Sequence, residues 1–285
     1  MIHATSPAIR PAPFPAPLSP SPGALQLDGV TVRFGRGDEA SVAVADVSLS
    51  VAPGEFVCLL GPSGCGKSTL LGAVAGYVDP AEGRIRLDGA PVSGPGPDRG
   101  MVFQQYSLFP WKTVLENVAF GPRMSGRSRG EARALAARFL DMVGLSAHAR
   151  RYPAELSGGM QQRVSIARAL ANCPAVLLMD EPFGALDAQT RAMMQEALLR
   201  LWAQTGTTIL FVTHDIDEAI FLADRVVVMG TAPGRIIADL TVDLARPRDA
   251  EILLEPAFLH LKRRCLELIR RESLKAFDFQ NGSGI

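Results

Sequence analysis

Between Leu25 and Ile237 the chain alternates short apolar runs with longer segments of helical period. Leu25–Phe34 and Val42–Val51 carry inward valines and leucines, and Phe56–Leu60 is an apolar run bounded by Pro53-Gly54, so all three read as strands. A glycine-rich turn then leads into Ser68–Ala75, a predicted helix closed by Gly76. Strand, phosphate-type loop and helix is the order that a parallel α/β sheet requires. Two more strands are expected at Arg84–Asp88 and Gly100–Phe103, after which the pattern turns helical between Thr113 and Leu170. Within that stretch Arg129–Val143 spaces alanines, leucines and arginines as a helix does and stops at Gly144, which predicts a helical lobe inserted into a sheet domain. Sheet signals resume at Val176–Met179, Thr207–Val212 and Arg225–Met229, separated by the helices Ala188–Gln204 and Asp217–Leu222. Beyond Ile237, Arg246-Pro247-Arg248 reads as a break and Leu259–Leu274 as an amphipathic tail helix, too little chain for an independent domain. No internal repeat is visible.

Ahead of this pattern lies Met1 to Gly23, with seven prolines between Pro7 and Pro22, a density that blocks helix and ladder alike. It is expected to be a disordered or polyproline-like tail, and it lacks the charged start and apolar middle of a secretory signal. The 285 residues are 47% hydrophobic and 20% charged, the balance of a globular protein with a sizeable core. Lys+Arg and Asp+Glu each total 29, so no basic excess draws a phosphate backbone over the whole surface, and nucleic acid is not an expected partner. No apolar run approaches the roughly 18–20 residues needed to cross a bilayer. Cys58, Cys65, Cys173 and Cys265 show neither a CxxC nor another metal-ligand spacing, which fits a reducing, cytoplasmic setting.

Gly61-Pro62-Ser63-Gly64-Cys65-Gly66-Lys67-Ser68-Thr69 matches GxxxxGK[ST], and its place between a strand and a helix is the context that validates the motif. The glycines let backbone N–H groups wrap a polyphosphate at a helix N-terminus, where the helix dipole also favours an anion. Lys67 is expected to reach the β- and γ-phosphates and the Ser68 hydroxyl to coordinate Mg²⁺; Cys65 occupies a permissive place in the loop and is given no redox role. The apolar run Val176–Met179 ends in Asp180-Glu181. In a phosphate-loop protein such acids divide the work: Asp180 holds the metal through water, and Glu181 orients or deprotonates the attacking water. Downstream of the helical lobe's start, Leu156-Ser157-Gly158-Gly159-Met160-Gln161-Gln162-Arg163 opens another helix, with two glycines leaving backbone amides open to a second anion.

With that segment the chain resembles the ATP-binding subunits of ABC transporters, whose signature reads LSGGQ; here Met160 stands in place of the glutamine. The resemblance runs over roughly Leu25 to Ile237. It implies an α/β fold: a P-loop NTPase (RecA-like) core with an antiparallel β subdomain and an inserted α-helical subdomain at about 105–170. The ATPase domain then spans 24–240, after the tail 1–23 and before a short helical tail 241–285. Further motifs fall in the family's order. Phe34 resembles the aromatic that stacks on adenine, and Gln104 the Q-loop glutamine that reaches Mg²⁺ and the attacking water, preferred over its neighbour Gln105 by the Val-Phe-Gln order. Gly184-Ala185-Leu186-Asp187 resembles the D-loop along the dimer seam, and His214 the switch histidine that contacts the γ-phosphate. By this resemblance ATP and Mg²⁺ are the ligands, Glu181, His214 and Gln104 the catalytic side chains, and Ser68, Gln104 and Asp180 the metal-directed ones. Ser157, Gly158, Gly159 and Met160 then close over ATP held by a second copy or a related ATPase subunit, in a head-to-tail dimer.

Gly94-Pro95-Gly96-Pro97-Asp98-Arg99-Gly100, Phe109-Pro110-Trp111, Pro233-Gly234-Arg235-Ile236-Ile237 and the Arg246-Pro247-Arg248 break are similar to the importer subfamily for nitrate, sulfonates and taurine. That subfamily works at the cytoplasmic face of the cell membrane with a multi-span permease, fed by an extracytoplasmic solute-binding protein. Leu108, Phe109 and Trp111 sit in a proline-broken loop beside the helical lobe, where an aromatic cluster either receives a helix of the permease or closes the lobe's small core. Two other readings share the catalytic motifs. The detached ATPase of an exporter differs only in the permease-facing loop and tail; a soluble ABC ATPase of ribosomes or DNA would be expected to carry two cassettes, zinc cysteines or basic extensions, which this sequence lacks.

Overall fold

The computed structural model describes residues 23–35, 41–231 and 233–282. The proline-rich start, up to residue 22, therefore lies outside the described residues. Gly23 does not belong to that stretch structurally: its N–H donates to Ala175 O at 3.0 Å and its carbonyl accepts the Thr208 hydroxyl at 2.8 Å.

Two sheets carry the molecule. The first has the order β2-β1-β4-β5 and is antiparallel, built from β1 (Leu25–Phe34), β2 (Ser41–Val51), β4 (Glu82–Leu87) and the short β5 (Ala90–Pro91). The second has the order β10-β9-β3-β8-β7-β6. In it β3 (Phe56–Leu60), β6 (Arg99–Val102), β7 (Val176–Asp180), β8 (Thr208–Thr213) and β9 (Arg225–Gly230) run parallel, and β10 (Arg235–Thr241) closes one edge antiparallel to β9. The uninterrupted apolar runs follow from this: a parallel sheet is covered on both faces, so both alternating sets of side chains are buried. Phe56, Cys58 and Leu60 face one core with Phe211 and Met179, whereas Val57 and Leu59 face the other with Leu210 and Val227.

Helix α1 (Lys67–Ala75) fills the space between the two sheets with Leu70, Leu71 and Val74. On the opposite face lie α4 (Gly158–Leu170), α5 (Ala188–Thr205), α6 (Ile216–Leu222) and α7 (Pro256–Gly282). Helices α2 (Val114–Met124) and α3 (Arg129–Met142) pack on each other and on α4. Both begin with a capping box, Thr113 with Glu116 and Ser128 with Glu131, which satisfies the first N–H groups reciprocally. Those hydrogen bonds hold both glutamates below the ordinary carboxylate range.

Three elements differ from the sequence expectation. Strand β10 was not anticipated, because Arg235 and Asp239 interrupt its apolar run; as an edge strand it needs only one partner, and Asp239 is paired with Arg225 of β9. The last helix starts at Pro256 rather than Leu259, with proline in the first helical position, where its missing N–H costs nothing. Arg246-Pro247-Arg248 is no mere break. Arg248 is buried and its guanidinium donates to the carbonyls of Ile220, Phe221 and Ala223 at the end of α6 and to Val242 and Leu244. Arg246 binds Asp224 at 2.8 Å and lies 4.3 Å over the Trp202 ring.

Candidate functional site

All the candidate catalytic side chains leave the same edge of the parallel sheet, where the strands end in the chain direction. The loop Gly61–Gly66 follows β3, Gln104 follows β6, Asp180 ends β7 with Glu181 after it, and His214 follows β8. Parallel pairing makes this convergence automatic, because strands in register deliver their C-terminal ends to one crevice.

Gly61, Pro62, Ser63, Gly64 and Cys65 form a tight turn into α1, with Gly66 as its N-cap at φ 92°. A side chain at Gly66 would strike Ala43 O at 2.8 Å, so both conformation and close approach call for glycine. Lys67 is buried, and its ammonium donates to the carbonyls of Gly61 at 2.8 Å and Pro62 at 2.9 Å. The loop therefore holds its own cation inward. Cys65 Sγ lies 3.8 Å from that ammonium, yet burial raises the thiol above its ordinary value, which keeps it protonated and unreactive. Thr69 is on the first turn of α1, one residue after Ser68.

Ser68 Oγ donates to Asp180 Oδ1 at 2.8 Å, joining the helix to the end of β7. Burial pushes the Asp180 carboxyl up, while the Ser68 hydrogen bond opposes that shift. A hydroxyl and one carboxylate are hard oxygen donors suited to Mg²⁺, but too few to hold it alone. Among the described residues there is no group of three or more His, Cys, Asp or Glu placed to bind a metal. The donor set thus fits a cation that arrives with phosphate oxygens.

Glu181 adopts φ 43°, a left-handed conformation that costs a non-glycine residue about 1 kcal/mol or more. Its N–H donates to Val212 O at 3.0 Å and its carbonyl accepts from Gly184, which fixes the turn and aims the side chain at His214. His214 Nδ1 and Glu181 Oε2 are 3.0 Å apart. A methyl group on Gly184 would meet Gln104 Nε2 at 3.5 Å and Glu181 Oε2 at 3.9 Å, so the glutamine amide shares this corner. Phe34 is half exposed at the end of β1, paired with Ser41, two residues before the Ala43 carbonyl that abuts Gly66.

The second anion-directed segment stands elsewhere. Ser157 caps α4, its Oγ accepting from Met160 N at 3.4 Å, and a side chain on Gly158 would come 2.7 Å from the Tyr106 hydroxyl. Gly159 packs on Thr190 of α5, whose N-cap Asp187 accepts from Thr190 N at 3.0 Å. No hydrogen bond among the described residues joins Ser157, Gly158, Gly159 or Met160 to the loop 61–69. Within one chain the two anion-directed segments remain apart.

The aromatic loop divides. Leu108 packs against the main core and Phe109 lies 4.8 Å from Phe120, whereas Trp111 is 71% exposed. Two residues missed in the sequence fix this loop. Asn117, fully buried, accepts from Phe109 N and donates to the carbonyls of Phe109, Lys112 and Thr113. Arg168 of α4 donates to the carbonyls of Ser107 at 2.7 Å and Tyr106, and its guanidinium lies 5.8 Å from the Phe109 ring. A polar residue on the apolar face of α2, between Val114 and Val118, was the available sign for Asn117.

Residues 44–184 match the family model described as ABC transporter. The chain is 50% identical over 248 residues to a taurine import ATP-binding protein of Chromobacterium violaceum, covering 85% of this chain and 94% of the relative. It is 47% identical over 253 residues to a nitrate import ATP-binding protein of Synechococcus elongatus, covering 87% and 92%. Among solved structures, a dimeric post-hydrolysis ATP-binding cassette bound to ADP and Pi superposes with a TM-score of 0.67 at 35% identity, over 78% of this chain and 100% of that one.

Proposed function

The chain belongs to the ATP-binding subunits of ABC transporters, and on that premise we propose that it powers uptake of nitrate, a sulfonate, taurine or a similar small solute through a separate permease. It is an ATPase of the ABC type. The observation that carries the catalytic reading is the corner where Glu181 Oε2 meets His214 Nδ1 at 3.0 Å beside the Ser68–Asp180 pair.

In this reading the loop amides of Gly61 to Lys67 and the Lys67 ammonium embrace the triphosphate, and Phe34 stacks on the base. Ser68, Asp180 and Gln104 would hold Mg²⁺, which would supply charge neutralisation to the bound triphosphate. Glu181 positions a water in line with the γ-phosphorus and takes its proton, a contribution of about 10²–10⁴-fold. His214 and Gln104 donate to charge that grows in the transition state. Ser157, Gly158, Gly159 and Met160 complete the site of a second copy or a related subunit, with Asp187 at the seam; their separation from the loop of their own chain supports this. Closure of the pair moves the permease, and hydrolysis reopens it.

The exposed Trp111, on a loop tied down by Asn117 and Arg168, supports a permease contact shared with Leu108 and Phe109. No described helix is long and apolar enough to cross a membrane. Work at the cytoplasmic face of the cell membrane then depends on that permease, with an extracytoplasmic solute-binding protein upstream. The test is to express tagged Glu181→Gln protein in its own host, solubilise membranes in mild detergent and identify co-purifying chains by mass spectrometry. Recovery of a multi-span permease is expected, and ligand screening of its binding protein names the solute. Recovery of ribosomal proteins in place of a permease would overturn the importer reading and leave the ATP site standing.

A further inference from the structure

Arg191 stands on the first turn of α5, and its guanidinium reaches two loops of the nucleotide corner at once. One terminal nitrogen donates to the Leu186 carbonyl at 3.0 Å, and the other pairs with Asp215 Oδ2 at 3.5 Å. Its Nε is buried and meets no acceptor among the described residues. The two bonds that the head group makes therefore go to the turn 181–187 and to the segment that follows His214.

These contacts close a ring. From Glu181 the chain runs through a turn fixed by Gly184 N donating to Glu181 O at 3.2 Å and Leu186 N donating to Phe183 O at 3.1 Å. Arg191 then bridges Leu186 to Asp215, which directly follows His214, and His214 Nδ1 returns to Glu181 Oε2 at 3.0 Å. Glu181, Gly184, Arg191, His214 and Glu218 border one cavity of about 30 Å³. Asp215 is itself anchored: its Oδ1 accepts from Glu218 N at 3.1 Å, capping α6, and its N–H donates to Thr213 Oγ1 at 3.0 Å. One turn further along α5, Gln195 makes a parallel connection by donating to Glu218. Leu186 is buried, whereas Ala185 and Asp187 on either side of it are exposed. A push on that exposed rim is thus passed by one side chain to the residue next to the histidine, along hydrogen bonds rather than through loose packing.

We propose that Arg191 is a positioning residue that ties the turn at the dimer seam to the switch histidine, so that a second copy seated against Asp187 sets how His214 meets Glu181. The proposal rests on the reading of Asp187 as part of the seam and of His214 as a catalytic side chain. A guanidinium suits this task. Its rigid planar fork holds a carbonyl and a carboxylate in a fixed relation, which a lysine ammonium on a flexible stem does not.

The test is steady-state ATP hydrolysis by the full chain in two backgrounds, with His214 present and with His214→Ala. Arg191→Met should lower kcat by about 10- to 100-fold when His214 is present, the scale set by misplacing a reacting group by about an ångström. The Kd for ATP should stay within about twofold of the parent, because neither bond of Arg191 reaches the loop 61–69. Asp215→Asn keeps an oxygen to cap α6 and removes the ion pair, so it should also lower kcat, and it carries the test if Arg191→Met does not fold. In the His214→Ala background either substitution should cost less than about a further twofold, because its effect passes through the histidine. An arginine that only braces the fold would lower turnover by the same factor in both backgrounds. Equal losses in the two backgrounds, or an unchanged kcat in either variant when His214 is present, would overturn the proposal and leave the catalytic reading standing. Full turnover by His214→Ala alone would overturn both.

Discussion

The two edges of the parallel sheet use polar residues in opposite ways. At the nucleotide edge each candidate site residue meets few partners, and several of those partners are themselves candidates. Glu181 meets His214, Ser68 meets Asp180, and Lys67 is held by the carbonyls of its own loop. The His214 side chain is 56% exposed and Glu181 sits in a strained backbone conformation. At the other edge the groups are close to saturated. Asp224 accepts from Phe56 N with one oxygen and from Arg246 with the other, and Arg225 donates to Glu55, Asp239 and the Ser50 carbonyl. Thr208 accepts from Gly54 N and donates to Gly23 O. Groups proposed to exchange protein partners for substrate keep few partners and, apart from buried Lys67, stay reachable. Groups that fix the architecture come close to filling their hydrogen-bonding capacity, because an unpaired buried group is penalised by its full desolvation.

If that contrast holds, substitutions at the two edges separate activity from stability. The largest effect belongs to Glu181→Gln. Turnover should fall by about 10²–10⁴-fold, equivalent to about 3–5 kcal/mol in the barrier. ATP binding should persist and the melting temperature should stay within about 2 °C of the parent, since only the His214 contact and no buried ladder depends on the carboxylate. Normal turnover in a single-cycle assay would remove Glu181 from its role.

Arg248→Met should do the reverse. It strands the carbonyls at the end of α6, for a loss of about 4 kcal/mol and a fall of roughly 8–12 °C by calorimetry. A fall of under about 2 °C would show that water replaces the guanidinium and that this edge is not structurally saturated. Thr208→Val keeps the shape but leaves the Gly54 N–H and Gly23 carbonyl without the bridging hydroxyl, which should cost about 2 kcal/mol in denaturant unfolding, with ATP affinity unchanged.

The same contrast explains what the sequence could reveal. The loop 61–69, Asp180-Glu181 and His214 are legible because each is a short contiguous pattern directly after a buried strand, and parallel register then gathers them. Phe56 and Asp224 are 168 residues apart, and nothing near either one announces the bond between them. Arg246-Pro247-Arg248 looks like a break because proline dominates the local reading, whereas its arginines act on residues 22 to 28 positions earlier. Strand β10 hides for a related reason: its polar positions are balanced by partners outside any local window, Asp239 by Arg225 of β9 and Arg235 by Glu272 of α7. In the aromatic loop, sequence leaves docking and core-filling both open. The structure packs Leu108, partly buried, against the core and leaves Trp111 in solvent, with Asn117 closing the loop from inside.

Glu218 tests the boundary between the two classes, because it lies on α6 beside the small cavity that His214 also lines and is buried like a structural group. Its carboxylate accepts from Gln195 Nε2 at 3.0 Å, yet burial pushes its pKa above the ordinary glutamate value. The folded protein therefore binds this proton more tightly than the unfolded chain does. That contribution favours folding below the unfolded glutamate pKa and is lost as pH rises through the raised folded value. Glu218→Gln keeps an oxygen for Gln195 and removes the titration. The variant should thus gain stability relative to the parent on going from about pH 4.5 to pH 8, read as a melting temperature that rises against the parent's over that range. A difference between variant and parent that stays constant over this range would mean that the ionised carboxylate is as well accommodated as those of the saturated edge. In that case burial alone would not mark which acids the fold keeps uncomfortable.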